Sequence, residues 1–309
     1  MIIPLGIRRE PCAAAAGLTT APLEWSVSPG GDLIVGDVGH EGSARRLSDL
    51  LRGIPEDGSP PSTHLADAAA ARAAVARGEN SLLYRAYRDV LAPRAKANGL
   101  GRRGGAPTGY WFADLVIYQG GELPGSRELT RSVGHWNTAA QWEVFQCLSG
   151  RVLILSSTRD ATGQLGLRYQ VCRPGDVAII PLGAWHLTAV LAGPAAVFNI
   201  YTDADTLTPG HSSRDAAQHD QLKYHSRAAA KIAVIRWGAG IALSGEPVEL
   251  GTYSPIRQVS APDWVRGMLE PEGLAAFYQR AADTELARLL RQALTHAQQP
   301  RVPFAVTTR

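Results

Sequence analysis

The sequence predicts an all-β core, a sandwich or a barrel, with a β/α extension before it and helices after it. Short β-branched and aromatic runs separated by turn residues extend from Tyr110 to Ile200. Before them lies an alanine-rich segment, and after them the apolar residues change to a helical period. We therefore divide the chain into an N-terminal extension (1–109), a central barrel (110–240) and a C-terminal helical extension (241–309).

The N-terminal extension begins with short apolar runs broken by Gly and Pro, a pattern typical of strands and turns. Ser62 and Thr63 can then cap a helix across His64–Arg77, and Gly78 can end it. The segment Ser81–Val90 fits either a strand or a helix, because its Tyr and Leu spacing suits both.

The central region contains a series of strand-like runs. Gly175–Pro181 is apolar and β-branched, as expected of a buried strand, and Gln141–Leu148 precedes it as another strand. The other runs are Tyr110–Tyr118, Arg151–Leu155, Gly166–Val171 and Ala196–Tyr201.

The C-terminal extension is amphipathic. The segment Thr284–Leu294 places an apolar stripe on one helical face, made of Leu286, Leu289, Leu290, Ala293 and Leu294. Such a stripe packs against the protein body or against a second subunit, and we expect a homodimer.

The composition excludes several classes of protein. The chain has 309 residues, of which 45% are apolar and 19% charged, and its 31 basic residues nearly balance 28 acidic ones. We therefore expect a small-molecule substrate and no nucleic-acid partner. No apolar run approaches membrane-spanning length, and the first residues lack a secretory pattern, so we expect no membrane partner and a cytoplasmic protein. The three cysteines form no disulfide framework, and Cys147 and Cys172 are expected in the core.

Two stretches punctuated by glycine carry the candidate chemistry. The first contains Gly134, His135, Asn137, Glu143 and Gly150, and the second contains Gly175, Pro181, Gly183 and His186. On a strand, residues two apart share a face, so His135 and Asn137 point the same way. Pro181 and Gly183 predict a turn that delivers His186 to the start of the next strand.

If the two stretches pair, His135, Glu143 and His186 converge on one divalent metal. Two imidazoles and a carboxylate suit a first-row transition metal and leave coordination positions open for substrate. We expect Fe, with Mn, Zn and Ni as alternatives. A β-sandwich with two core histidines and a buried glutamate is the other interpretation, which the cost of a buried unpaired carboxylate disfavours.

These motifs resemble those of the cupin superfamily. Its first motif reads His-x-His, then Glu, then Gly, and this chain matches it except that Asn137 stands where a second His is expected. Its second motif is matched through His186. The resemblance implies a double-stranded β-helix, or jelly-roll, barrel with a metal site.

Within that superfamily, residues 43–240 resemble the cupin-type phosphoglucose isomerases, through Ser43–Asp49, the two metal motifs, Ile200-Tyr201, His219-Asp220 and Lys231-Ile232. The resemblance implies that Tyr201 and His219 line the pocket and act with Glu143 in catalysis. We also expect substrate contacts by Arg131, Ser132, Gly134, Asn137 and Phe145. Asn137 is either a hydrogen-bond donor to substrate or a weak fourth metal ligand, and we favour the first role because an amide oxygen is a poorer ligand than imidazole. The chain departs from the family at Val133, which replaces a lysine, and at Phe145, which replaces an aromatic residue with a hydroxyl.

The sequence therefore predicts a metal-dependent isomerase that acts on a sugar or another hydroxy-carbonyl compound. One alternative is a non-haem iron oxygenase or oxidative enzyme of specialised metabolism, because two His and one Glu form the facial triad of such enzymes. A second alternative is a non-catalytic sugar-binding cupin.

Overall fold

The elements of the chain are known from a computed structural model. It describes residues 1–8, 25–54, 56, 63–95, 110–137, 141–159, 165–181, 183–202, 232–245, 256–269 and 272–297.

The strands of the described residues fall mainly in the central region. They are β1 (Ile2–Arg8), β2 (Trp25–Val27), β3 (Leu33–Val35), β4 (Val38–His40), β5 (Ser43–Arg46), β6 (Leu82–Tyr87), β7 (Arg94–Ala95), β8 (Tyr110–Tyr118), β9 (His135–Trp136), β10 (Glu143–Arg159), β11 (Leu165–Cys172), β12 (Val177–Ile180), β13 (Trp185–Thr202), β14 (Ala233–Trp237), β15 (Gly240–Ser244) and β16 (Ile256–Gln258). The helices are α1 (Leu47–Leu51), α2 (Ala68–Ala76), α3 (Asp263–Leu269), α4 (Gly273–Arg280) and α5 (Asp283–Ala297).

The strands form two layers that share the long strands β10 and β13. Layer A has the order β5, β6, β8, the second half of β13, the first half of β10, and β12. Layer B has the order β16, β11, the second half of β10, the first half of β13, and β9. The predicted all-β core, with helices at its C-terminal end, is confirmed.

The bend of β10 lies at Gly150, where the pairing with β13 changes register between Cys147 and Val152. Gly150 has a φ of +71°, and an added Cβ would lie 2.7 Å from the carbonyl oxygen of Pro194 and 2.8 Å from that of Ala192. Only glycine tolerates both the backbone conformation and this close approach. The bend lets each long strand begin in one layer and end in the other.

Apolar side chains fill the space between the layers and cover both outer faces. The inner core joins Phe145 and Val197 of layer A to Ile154 and Val190 of layer B. Cys147 and Cys172 are free thiols buried in this inner core, as the sequence predicts. On the outer face of layer B, β1 and the β14–β15 hairpin cover a second core that includes Leu187.

The C-terminal helices cover the outer face of layer A. Leu286, Leu289 and Leu290 of the predicted stripe share a core with Phe198 and other residues of that face. These three leucines therefore pack against the protein body, and the homodimer stays a prediction. Among the described helices, none is long and apolar enough to cross a membrane.

The helix predicted from residue 64 begins at Ala68 instead, and the predicted cap was wrong. Asp67 caps it by accepting a hydrogen bond from the Ala70 N–H at 2.8 Å. The residues before Asp67 are held by tertiary contacts, since the Ala66 N–H donates to Glu128 at 2.8 Å. The ambiguous segment after this helix forms strand β6. The division into three segments stays a prediction, and its boundary at 240/241 falls within β15.

A buried ion pair holds the chain just before β9. The Nε of Arg131 donates to Glu128 Oε1 at 2.8 Å, and their side chains are 2% and 0% exposed. Arg131 also donates to the backbone carbonyls of Ser132, at 3.0 Å, and of His64, at 2.5 Å. The pair therefore ties the segment before α2 to the strand that leads into the first motif.

We expect Arg131→Met to lower the free energy of unfolding by about 3–5 kcal/mol, because it leaves Glu128 as an uncompensated buried charge. The double variant Glu128→Gln/Arg131→Met removes both charges and should recover much of that loss. Urea unfolding measures both. Arg77→Met, which breaks the exposed pair with Glu79, is the control and should leave stability nearly unchanged. Equal stability of the Arg131→Met and wild-type proteins would contradict the prediction.

Candidate metal centre

Strand pairing brings the three predicted ligands to one end of the two layers. His135 in β9 lies in register with His186 at the start of β13, in layer B. Glu143 is the first residue of β10, in layer A. Gly134, with a φ of +82°, allows close contact here, because an added Cβ would lie 3.0 Å from Trp185 and 3.1 Å from the His186 carbonyl oxygen. The predicted convergence of the two stretches is present.

The three side chains face one another. The Nε2 atom of His135 lies 3.9 Å from Glu143 Oε1, and the Nε2 atom of His186 lies 3.9 Å from Glu143 Oε2. The two imidazole rings are 4.3 Å apart and nearly perpendicular. One ligand atom from each residue lies within 4.8 Å of the others. This is a compact donor set of two nitrogens and one carboxylate oxygen.

The donor set fits a divalent transition metal. The side chains of Glu143 and His186 are 3% and 5% exposed, so this carboxylate is held away from water beside two imidazoles. Gln141 donates to Glu143 Oε1 at 2.5 Å and fixes the carboxylate orientation. A buried carboxylate is stabilised by a cation, and imidazole and carboxylate are ligands of Fe, Mn, Zn and Ni. The residues that would hold the ion are His135, Glu143 and His186.

A pocket of about 550 Å³, which includes its open mouth, lies against this donor set. Hydroxyl, amide and aromatic side chains dominate its wall. The lining residues are Tyr84, Ala86, Arg88, Val116, Tyr118, Ser132, Gly134, His135, Glu143, Phe145, His186, Thr188 and Asn199.

One row of side chains crosses layer A beside the donor set. Phe145 lies in register with Asn199, and Asn199 lies in register with Asp114. Arg88, which directly follows β6, pairs with Asp114 and continues the row. Residues in register on neighbouring strands share a face of the sheet. The row therefore runs from the ring of Phe145, 5.6 Å from the His186 ring, to the guanidinium of Arg88.

Arg88 and Asp114 form a hydrogen-bonded ion pair at the end of this row. The Asp114 side chain is fully buried, and its second oxygen accepts the Asp89 N–H at 3.0 Å. The Arg88 side chain remains 38% exposed. Burial lowers the pKa of Arg88, but the charge of Asp114 and contacts with Tyr201 outweigh it, so the pKa lies above its usual value. Arg88 is a permanent cation in this pocket.

Two tyrosines, Tyr84 and Tyr118, also line the pocket wall. The rings of Tyr84 and Tyr118 are 5.3 Å apart, and the Tyr118 hydroxyl hydrogen-bonds with Thr188. Burial raises the pKa of both phenols above the ordinary value, and Tyr84 and Glu143 raise that of Tyr118 further. Both hydroxyls therefore keep their protons at neutral pH and can donate hydrogen bonds.

The structure brings only part of the predicted site together. Ser132, Gly134 and Phe145 line the pocket, whereas Arg131 lies in the buried pair with Glu128. Tyr201 lies in register with Glu143 but stacks on Phe112 at 5.4 Å and does not line the pocket.

Asn137 is buried just after β9 and does not line the pocket either. Its backbone N–H donates to the Ala184 carbonyl at 2.9 Å, and its side-chain amide has no hydrogen-bond partner within the described ranges. His219 lies outside the described residues.

Sequence reasoning missed the remainder of the pocket wall, namely Tyr84, Ala86, Arg88, Val116, Tyr118, Thr188 and Asn199. Alternation offered a partial indication, since Tyr84, Ala86 and Arg88 are two residues apart and share a face. Because the segment Ser81–Val90 fits a strand and a helix equally well, this alternation could not be recognised from the sequence.

Comparison with known proteins gives short similarities of fold. No family model matches the sequence, and no curated protein matches it. Among solved structures, an oxalate oxidase in complex with the substrate analogue glycolate is 19% identical over 32% of this chain and 44% of that chain, with a TM-score of 0.25. This chain therefore spans less than half the length of that oxidase.

Two other solved structures match a similar share of the chain. KdgF from Halomonas sp. is 13% identical over 38% of this chain and 77% of that chain, with a TM-score of 0.24. The Cnp3 cupin domain of Schizosaccharomyces pombe is 11% identical over 40% of this chain and 66% of that chain, also with a TM-score of 0.24.

We expect His135→Ala, Glu143→Ala and His186→Ala each to weaken metal binding by more than about tenfold. Removing a group that only hydrogen-bonds to a metal ligand already lowers metal affinity by about that factor, so removing a ligand should lower it further. Elemental analysis of protein purified without chelators measures the metal content, and circular dichroism checks the fold. His40→Ala is the control, because His40 lies in β4 and does not line the pocket. Full metal content in His186→Ala would refute the assignment.

Proposed function

We propose that the protein is a metal-dependent enzyme of isomerase type that acts on a sugar or another small hydroxy-carbonyl compound. The observation that carries this proposal is the convergence of His135, Glu143 and His186 beside a pocket lined by hydroxyl groups. A bound divalent metal would act as a Lewis acid that polarises a carbonyl oxygen and an adjacent hydroxyl oxygen. The three side chains would hold it and leave positions open towards the pocket.

Glu143 is the candidate base. Isomerisation removes a proton from the carbon that carries the hydroxyl and returns one to the former carbonyl carbon, so no oxidant or reductant is consumed. Glu143 borders the pocket and can accept and return that proton. The hydrogen bond from Gln141 to Oε1 holds the carboxylate in one orientation. The other oxygen, Oε2, lies on the side of His186.

Tyr118 is the candidate donor for the substrate oxygens. In the isomerisation one oxygen gains a proton as the other loses one. The pocket-lining phenol of Tyr118 stays protonated because burial raises its pKa, and its hydrogen bond with Thr188 holds it in place. The family resemblance assigned such a role to Tyr201 or His219, but Tyr201 does not line the pocket. We therefore assign the role to Tyr118.

A non-haem iron oxygenase is the second candidate. Asn137 does not line the pocket, so the donor set facing the pocket is two histidines and one glutamate. This is the ligand set of the facial triad, which leaves positions open for O₂ and substrate.

The two candidates differ in their need for oxygen. We would load the protein with Fe²⁺, Mn²⁺, Zn²⁺ or Ni²⁺ and incubate it with aldoses, ketoses and hydroxyketones in D₂O. Anaerobic incorporation of deuterium beside the carbonyl, followed by NMR, supports the isomerase. Substrate-dependent O₂ uptake with iron alone, and no exchange, would support the oxygenase instead. The His186→Ala variant is the control for both assays.

We expect Tyr118→Phe to lower the exchange rate by about 100-fold or more, because proton donation by a positioned side chain contributes about 10²–10⁴-fold. Metal content should stay unchanged, since Tyr118 is not a ligand. Tyr169→Phe is the matched control, because it removes a buried hydroxyl that donates to the Leu5 carbonyl far along layer B. Wild-type exchange by Tyr118→Phe would exclude this role.

We expect glucose 6-phosphate to be a poor substrate. Phosphate carries nearly two negative charges and requires dense cationic contacts. Val133 is buried in the inner core where the resembling family has a lysine, and Phe145 provides no hydroxyl. A coupled assay for fructose 6-phosphate with metal-loaded protein checks this. Turnover near the ordinary enzyme level of about 10 s⁻¹ would contradict it.

A further inference from the structure

We propose that Arg88 binds the carboxylate of a small hydroxy-carbonyl compound that also carries a carboxylate group, and that its hydroxyl and carbonyl oxygens face His135, Glu143 and His186. This inference rests on the proposed function, because it names the substrate class of the same pocket. The reacting oxygens would lie at the donor set, and the carboxylate would lie across the pocket wall.

The distribution of charge in the pocket supports an anionic ligand. Apart from the two histidines, Arg88 is the only basic side chain among the described residues that line the pocket. Its negative partner, Asp114, is fully buried and does not line the pocket. The pocket surface therefore presents the cation, while the compensating anion lies behind it.

Asp114 also orients the guanidinium. One nitrogen of Arg88, Nη1, donates to Asp114, and the carboxylate of Asp114 is itself held by the Asp89 N–H. A planar guanidinium has more N–H donors than this single contact uses. With 38% of the side chain exposed, Arg88 can donate to a ligand without leaving Asp114. A carboxylate matches the planar geometry of such donors.

Neighbouring neutral groups suit a carboxylate better than a phosphate. Asn199 lies in the same row as Arg88, and the Tyr84 hydroxyl lines the same pocket. They offer neutral hydrogen bonds, while the charge of Arg88 is already shared with Asp114. Because Asp114 already offsets part of the charge of Arg88, a monoanion is better matched to this site than a phosphate dianion, which would need a second cation.

The experiment compares lactate, its neutral analogue lactamide, and inorganic phosphate by isothermal titration calorimetry. For metal-loaded wild-type protein we expect lactate to bind about tenfold tighter than lactamide or more, because charge-assisted hydrogen bonds exceed neutral ones. We also expect lactate to bind tighter than phosphate. Equal binding of lactate and lactamide would overturn the proposal, and so would tighter, Arg88-dependent binding of phosphate.

Variants assign the preference to Arg88. Arg88→Gln leaves Asp114 buried without its partner, so the double variant Arg88→Gln/Asp114→Asn removes both charges and preserves the fold. Both should lose the preference for lactate. Arg85→Gln is the matched control, because Arg85 lies in β6, three residues before Arg88, but donates to the Gly42 carbonyl at 3.3 Å and does not line the pocket. A preference that survives in the double variant would overturn the proposal.

Metal content measured on the same samples separates this inference from the proposed function. If the protein binds metal but shows no preference for lactate over lactamide, the carboxylate site is contradicted and the metal centre is not. Protein that binds no metal but shows the Arg88-dependent preference contradicts the metal centre and supports the carboxylate site.

Discussion

The bend in the two long strands is the constraint on which the rest of the structure depends. Each of β10 and β13 lies in both layers, so the start of β10 in layer A faces the start of β13 in layer B. Gly150 makes this possible, since its backbone conformation and its contact with Pro194 exclude a side chain. Glu143 and His186 are distant along the β10–β13 ladder, yet they meet because both strands turn. The convergence of the candidate metal ligands is a product of strand geometry.

Three carboxylates among the described residues are buried in the barrel, and each lies beside a different basic residue or pair of residues. Glu128 is matched by Arg131 beneath the entry to β9, and Asp114 is matched by Arg88 at the pocket wall. Glu143 faces two imidazoles, which carry charge only when protonated. Buried charges persist when they are paired or coordinate a metal. Two of these carboxylates are paired with an arginine, whereas Glu143 lies between two imidazoles that carry no permanent charge. This difference is the electrostatic argument for a metal ion beside Glu143.

The candidate ligands could be predicted from sequence because each lies in a short motif whose spacing and turn residues are local. Their convergence depends in addition on the pairing of β9 with β13 and on the bend of the long strands. The pocket wall could not be predicted, since Arg88 reaches the site only through the register of β6, β8 and β13. Tyr201 shows what sequence spacing cannot predict. It lies in register with Glu143, but its ring stacks on Phe112 and does not line the pocket. Arg131 was likewise expected to contact substrate, but it forms a buried ion pair with Glu128 instead.

The pocket wall combines two phenols and one guanidinium whose pKa values lie above their ordinary values. Burial keeps the phenols of Tyr84 and Tyr118 protonated, and Asp114 keeps Arg88 charged, so these three hold one protonation state across the neutral range. The wall therefore presents a constant pattern of donors and one constant positive charge. A substrate that binds such a wall is oriented in the same way at every pH near neutrality. Metal binding at His135, Glu143 and His186 would depend on pH, because a proton and a metal compete for the same ligand atoms.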